Sequence, residues 1–389
     1  MLIGQPITII GAGIGGLAAA LALAPFGARV EILEQADEIS EVGAGLQISP
    51  NGVAVLDGLG LGAELRECAV EAKSVQLRDY RAGASVLQLN LQKYAGDQDF
   101  LFVHRADLIN LLETAARARG VKISLGCEVL SIDTEGKSTR LTLADGSQRS
   151  VKLLIGADGL HSRLRAKLNG NAEPFFTGQV AWRAIVPAPP GVKRRVDVFM
   201  GPGRHLVRYP LRGKSQLNIV AVEERSDWVS ESWSNTGDPD RLRRSFTAFC
   251  PEVQASLAGV KDVKLWGLFR HPVAEHWQDG SNVLLGDAAH PTLPFLAQGA
   301  NLALEDAWVL ADCLSRLGQE DALLAYQKRR KSRARRVIEV ANSNARNYHL
   351  RNPIVRGTAH ALLRSAGRLA PGKVVSQFDW IYRHNVTQD

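Results

Sequence analysis

The apolar positions change texture along the chain. Ile7 to Ile10 is a short β-branched run that breaks at Gly11-Ala-Gly13-Ile-Gly15-Gly16 and resumes as the small, helix-favouring stretch Leu17 to Ala24. A second such run, Val30 to Leu33, closes on Glu34. Runs this short and this apolar suit strands buried on both faces. Strand, glycine turn, helix and strand in that order predict the opening of a doubly wound α/β unit.

Past residue 50 the spacing is mostly helical to about Leu65, and it is helical again from Arg105 through Arg119, with Leu108, Leu111, Leu112 and Ala115 on one face. Strand-like runs follow at Val121 to Leu125, Arg140 to Leu143 and Val151 to Ile155. Between about 174 and 270 the segments alternate and are punctuated by turns: Val180 to Val186, Val196 to Met200, His205 to Tyr209, Leu217 to Val222 and Leu265 to Phe269. They predict a mostly antiparallel sheet inserted as a separate lobe. Asn282 to Leu285 returns to the buried parallel-strand pattern and leads through Gly286-Asp287 to a helix over about Asn301 to Leu317. The expected fold is α/β, with a discontinuous Rossmann-like lobe over 1–75, 100–173 and 275–318. A substrate lobe takes 76–99 and 174–274, and a C-terminal helical region takes 319–389.

With 389 residues, 45% of them hydrophobic, the chain can bury a large core in two or three lobes. The cysteines Cys68, Cys127, Cys250 and Cys313 stand far apart without a C-x-x-C pair, so neither a zinc site nor a disulfide framework is expected. A reducing, cytoplasmic setting follows as an expectation. The first apolar segment lacks a charged lead and contains a glycine turn, unlike a signal peptide, and no run is long enough to span a bilayer. The net charge of +7 gathers around Lys328 to Arg336. Val337, Ile338 and Val340 supply an apolar stripe beside those cations, so a solvated helix face is expected there rather than a grip on nucleic acid or membrane.

Gly11, Gly13 and Gly16 match G-x-G-x-x-G, in which the first glycine makes the turn, the second admits a pyrophosphate and the third lets the helix pack closely. Glu34, 18 positions beyond Gly16, is placed to accept hydrogen bonds from a ribose diol. This fingerprint predicts a dinucleotide without choosing between FAD and NAD. Two later segments bear on the choice. One is Leu154-Ile-Gly156-Ala-Asp158-Gly159, running on to Arg163; the other is Gly286-Asp287-Ala-Ala-His290-Pro291, followed by Gln298-Gly299-Ala300-Asn301 and Glu305-Asp306-Ala307. In the second, a carboxylate at a strand end faces a loop feeding a helix N-terminus. Asp287 can then bind ribityl hydroxyls while the amides of Gly299 to Asn301 meet the pyrimidine end of a flavin, where the helix dipole favours negative charge.

These three motifs, in this order and separation, resemble the single-component (class A) FAD-dependent aromatic hydroxylases. The segments Gly43-Ala-Gly-Leu-Gln47-Ile-Ser-Pro50, Val180-Ala-Trp182-Arg183 and Phe295-Leu-Ala-Gln298-Gly299-Ala300 are similar to the salicylate hydroxylase and 3-hydroxybenzoate 6-hydroxylase branch. The resemblance covers nearly the whole chain. It implies FAD contacts at Gly15, Glu34, Gln47, Arg105, Asp287 and Ala300, with Val129 near the adenine through its backbone and Asp158 where flavin and nicotinamide approach. It also implies NADH or NADPH as co-substrate without a second Rossmann domain. Pro291, Gln298 and Arg183 are the expected substrate neighbours, with Arg183, Arg208 and backbone amides all open as partners for a carboxylate. Gln47 stands where hydroxynicotinate hydroxylases tend to have histidine, which points to a carbocyclic ring.

The resemblance further implies that NAD(P)H reduces FAD and that oxygen, as a flavin C4a-hydroperoxide, is passed to a hydroxybenzoate- or salicylate-like ring. The protein must exclude water and remove a phenolic proton. His205 and Tyr209, four apart and so on one face of a strand, are the candidates for the base. His290 resembles a loop residue beside the flavin. Two rival readings remain open: a flavin-dependent oxidase or reductase, which would share the nucleotide motifs, and an anion-binding flavoprotein using the basic stretch. NADH against NADPH, the position hydroxylated, decarboxylation and pairing into a homodimer are open as well.

Overall fold

The computed structural model describes residues 2–388 apart from 40–43, 137, 172, 226 and 228–234. Gly43, which opens one of the motif segments, lies outside the described residues. A five-stranded parallel sheet runs in the order Asn282–Leu284, Leu154–Gly156, Pro6–Ile10, Arg29–Leu33, Lys122–Ser124. Its central strands and the helix Ile14–Leu23 are buried almost throughout, as continuous apolar sequence requires. The helix Gly299–Arg316 packs against Ile14–Leu23, and the 30-residue helix Gln319–Tyr348 packs against Gly299–Arg316 in turn.

The second large sheet has seven strands, in the order Lys264–Arg270, Phe175–Pro187, Gln216–Glu224, Arg204–Leu211, Arg195–Gly201, Ser74–Asp79, Ser85–Asn90. All neighbours are antiparallel except Arg195–Gly201 with Ser74–Asp79. That parallel pair is unreadable from local pattern, because its strands are far apart in sequence. The boundary expected at 75 falls inside the strand that begins at Ser74.

Two expectations need correction. The run read as one strand over Val151 to Ile155 is divided: Gln148–Val151 closes a small antiparallel sheet, and Leu154–Gly156 enters the parallel one. The basic stretch is a solvated face only in part. Arg330 is 1% exposed and ion-paired with both Glu305 and Asp306, while Arg333 bonds Glu305 through two nitrogens. Alternating apolar and basic positions on that helix place Arg330 and Arg333 one turn apart, facing two acids of the neighbouring helix.

Candidate active site

A cavity of about 470 Å³ lies between the parallel sheet and the seven-stranded sheet. Gly13, Gly15, Gln47, Arg105, Asp287, Pro291, Gly299 and Ala300 line one part of it, and Arg183, His205 and Tyr209 line another. Residues from six separate stretches of sequence therefore meet in one chamber.

The three fingerprint glycines divide their duties. A Cβ at Gly16 would stand 2.0 Å from the Gly11 carbonyl oxygen, and one at Gly11 would stand 2.4 Å from the Ala157 oxygen. Turn and helix thus pack too closely for side chains. A Cβ at Gly13 would meet nothing within 4 Å. Gly13 also N-caps the helix Ile14–Leu23, whose first turn has no side-chain cap and no acid. Open space against bare helical N–H groups is the chemistry an anionic pyrophosphate needs. Glu34 accepts from the Ala12 N–H at 2.7 Å and the Ala36 N–H at 3.0 Å, so it also braces the turn.

At the other end of the chamber the helix Gly299–Arg316 begins with no side-chain cap. Asp287 is reachable from the cavity yet enclosed by protein, and burial pushes its carboxyl up, with His290, Arg105 and His271 opposing. Such a carboxylate gains from hydroxyl donors. Asp158 behaves alike: Oδ2 accepts from the Arg163 N–H at 2.9 Å, Oδ1 is buried without a hydrogen-bond partner, and burial raises the group. Asp287 in want of donors, two uncapped helix ends and the open face of Gly13 together fit a flavin dinucleotide.

His205 is 2% exposed and Tyr209 is 4% exposed, on the strand Arg204–Leu211. Burial and the neighbouring His349 hold the His205 imidazole well below its usual range, hence neutral. Burial drives the Tyr209 hydroxyl far above the usual range, against smaller effects of Arg183 and a Gln47 hydrogen bond. Gly45 makes that meeting feasible, since a Cβ there would stand 2.7 Å from both Asn218 Cγ and Tyr209 Cε2. Arg183 lies over the Trp266 ring, 4.5 Å from its centroid. Arg208, the other arginine considered, alternates to the opposite face and is tied to Asp197, Glu252 and Ser256.

The other expected site residues vary in placement. Gln298 lines the cavity, with its amide accepting from Asn51 at 3.1 Å and donating to Ser49 at 2.9 Å. The Asn301 side chain stitches Ser49, Gln47 and Ala297 together, leaving only its backbone for a ligand. Val129 starts the strand Val129–Glu135, is 4% exposed and does not line the cavity. His290 pairs through Nε2 with Asp306 and stacks on Trp277 at 5.2 Å. It anchors a buried ion cluster, His290–Asp306–Arg330–Glu305–Arg333, to which Asn51 adds a 2.6 Å bond. The acids of that cluster stand in the Glu305-Asp306-Ala307 motif, but sequence reasoning gave them no role.

The family model described as "FAD binding domain" matches residues 5–341. The chain belongs to that family. It is a flavoenzyme of the aromatic-ring monooxygenase class. The 3-amino-4-hydroxybenzoate 2-monooxygenase of Streptomyces cremeus is 36% identical over 357 residues, 88% of each chain. The 3-hydroxybenzoate 6-hydroxylase of Polaromonas naphthalenivorans is 34% identical, spanning 98% of this chain and 96% of its own. The crystal structure of Klebsiella pneumoniae HpxO complexed with FAD and uric acid superimposes with a TM-score of 0.83 at 27% identity, covering 94% of both chains. Among the described residues no helix is long and apolar enough to cross a membrane, and none of the His, Cys, Asp and Glu side chains cluster as metal ligands.

Proposed function

We propose that the chain hydroxylates a small phenol bearing a carboxylate, of the hydroxybenzoate or salicylate type, using NAD(P)H and O2. The observation that carries this reading is the shared chamber: His205, Tyr209 and Arg183 stand in the wall of the cavity into which Gly13, Asp287 and the start of Gly299–Arg316 also open. When bound, FAD supplies reduction by the nicotinamide and activation of oxygen. Gly13 and the Ile14–Leu23 helix end would hold the pyrophosphate, Asp287 the ribityl chain, and the Gly299 and Ala300 amides the pyrimidine edge.

The remaining work belongs to the protein. His205, kept neutral, accepts the phenolic proton and makes the ring more electron-rich. Tyr209, kept protonated, donates a hydrogen bond and orients the same oxygen, itself oriented by Gln47. Arg183 stacks on Trp266 at the chamber wall and pairs with the substrate carboxylate. Val196, Val198, Val220, Val222 and Phe295 give the chamber apolar walls that keep water from the activated oxygen. The cysteines are unpaired, which suits the cytoplasm.

The test is oxidation of NADH and NADPH by the purified yellow protein, with and without 3-hydroxybenzoate, salicylate, 4-hydroxybenzoate and 6-hydroxynicotinate, while product and hydrogen peroxide are quantified. Stimulation by a hydroxybenzoate with matching hydroxylated product is expected. Stimulation by none of these rings would favour an oxidase or reductase.

A further inference from the structure

His205 does not stand alone behind the cavity. Its Nδ1 lies 2.7 Å from Nε2 of His349, the first residue after the long helix Gln319–Tyr348. Nδ1 of His349 lies 3.1 Å from Glu224 Oε1, and Glu224 Oε2 accepts from Arg351 Nε at 2.9 Å. Side-chain exposure rises along this series: His349 is 2% exposed, Glu224 30% and Arg351 71%. Three groups therefore lead from the buried ring of His205 to water.

The series also fixes the tautomers. A carboxylate can only accept, so Nδ1 of His349 carries the hydrogen and its Nε2 is bare. The Gln179 amide, 3.2 Å from the same Nδ1, competes for it, but an amide can present either end whereas the carboxylate cannot, and the charge-assisted bond is the stronger. A bare Nε2 on His349 must accept from Nδ1–H of His205. That leaves Nε2 of His205 as the nitrogen able to take a proton from a molecule in the cavity.

A neutral base enclosed like His205 is a poor place to store a proton. It abuts Phe295 and Tyr348 rings, with centroids at 5.8 and 5.2 Å, and among the described residues no carboxylate touches it to stabilise a cation. The groups facing its partner His349 are Glu224, Gln179, Arg204 and Arg351. The carboxylate is thus one step further out than the base, beside solvent. The segment is held in place: the Gly203 N–H donates to the His349 carbonyl at 3.2 Å, and the Glu224 N–H donates to the Gly203 carbonyl at 2.9 Å. Gly203, at φ 67°, permits the turn that joins them.

We propose that His349 and Glu224 form a proton relay that carries the substrate's hydroxyl proton from His205 to the surface and returns it to the product. This rests on the reading of His205 as the base. In the outward step the phenolic O–H bond breaks and the proton binds Nε2 of His205. The Nδ1 proton of His205 passes to Nε2 of His349, the Nδ1 proton of His349 passes to Glu224, and Glu224 releases one proton to water. One proton leaves per phenol ionised, and no electron moves. The reverse sequence protonates the product's phenolate oxygen and restores both tautomers, so neither ring must turn over.

The test uses the FAD-loaded protein and the coloured probe 3-hydroxy-4-nitrobenzoate, whose phenolate band reports ionisation during rapid mixing. His349→Ala and Glu224→Gln should each slow phenolate formation by about tenfold or more. Added imidazole should restore the rate in His349→Ala, and acetate should restore it in Glu224→Gln, with little effect on the parent protein; a purely structural loss would not be restored. If both variants ionise the probe at the parent rate, or if added base restores neither, the relay is overturned. His205→Gln separates the two readings: a slow His205→Gln with normal relay variants sinks the relay alone, whereas a normal His205→Gln sinks the base assignment itself.

Discussion

Asp287 gathers several of the physical features of the site into one residue. Its carboxylate opens on the cavity, burial raises it, and it sits 3.9 Å from where a Cβ on Gly299 would stand. Removing it would delete the charge-assisted hydrogen bond proposed to the ribityl hydroxyls, worth about 1.5–3 kcal/mol. Asp287→Ala should therefore bind FAD roughly ten- to a hundredfold more weakly, seen as loss of yellow colour on gel filtration. Full retention would refute that role. His205→Gln keeps a polar side chain but no base. Its turnover should fall by about a hundredfold or more, while reduction of bound flavin by NAD(P)H under anaerobic conditions continues near the parent rate. The sequence pointed to both residues: Asp287 follows the buried strand Asn282–Leu284, and His205 and Tyr209 share a period-two face. His349 and Glu224 carried no such signal, because the contact between them spans 125 positions and follows only from tertiary packing. Gln298 lines the cavity as its place in the motif predicts, but the sequence does not show that Ser49 and Asn51 also hold its amide.

Among elements, the glycine turn and the buried ion cluster make opposite demands. Gly13→Ala adds a methyl where no protein atom lies within 4 Å, so the fold should keep its melting temperature while FAD affinity falls. Gly16→Ala drives a methyl into the Gly11 carbonyl and should destabilise the protein itself, toward the upper end of the roughly 1–3 kcal/mol typical of overpacking. Equal melting curves for the two variants would contradict this division. In the ion cluster, burial alone would raise the Asp306 carboxyl, but His290 and Arg330 more than offset it and hold it at about 2. Depressed below its unfolded value, Asp306 contributes stability above about pH 4. That contribution is lost as pH falls toward 2. His290 is shifted the other way: burial lowers it, Asp306 raises it more, and the net is upward. Its contribution is complete below its unfolded value and fades as pH climbs through the raised one. Arg330→Met leaves two buried acids without their shared cation and should cost about 3–5 kcal/mol, with most of the loss at neutral pH. A melting temperature equal to the parent's at pH 7 would contradict that. Helix periodicity located Arg330 but not its burial, since a basic residue beside an apolar stripe reads as solvated until the neighbouring helix is in place.

For the whole molecule, the legible part was the parallel sheet and the texture of the inserted one. Continuous β-branched runs mark strands covered on both faces, and alternation marks the strands of the larger sheet. What stayed hidden was the joining: Ser74–Asp79 pairs with Arg195–Gly201, and Val151 to Ile155 divides between two sheets. Those choices depend on residues distant in sequence, and they close the chamber by laying the seven-stranded sheet across the nucleotide-binding turn. The architecture thereby places an apolar wall bearing His205 and Tyr209 opposite Gly13 and Asp287, the arrangement that the proposed transfer of one oxygen atom onto an ionised ring requires. The central claim is that transfer. Turnover of the FAD-loaded protein with NADH or NADPH and the hydroxybenzoate that stimulates it, under isotopically heavy dioxygen, tests it most directly by mass spectrometry of the product. One heavy oxygen atom per molecule of hydroxylated ring is the expected result. A product free of heavy oxygen, or consumption of heavy dioxygen solely as hydrogen peroxide with every ring tried, would contradict the account.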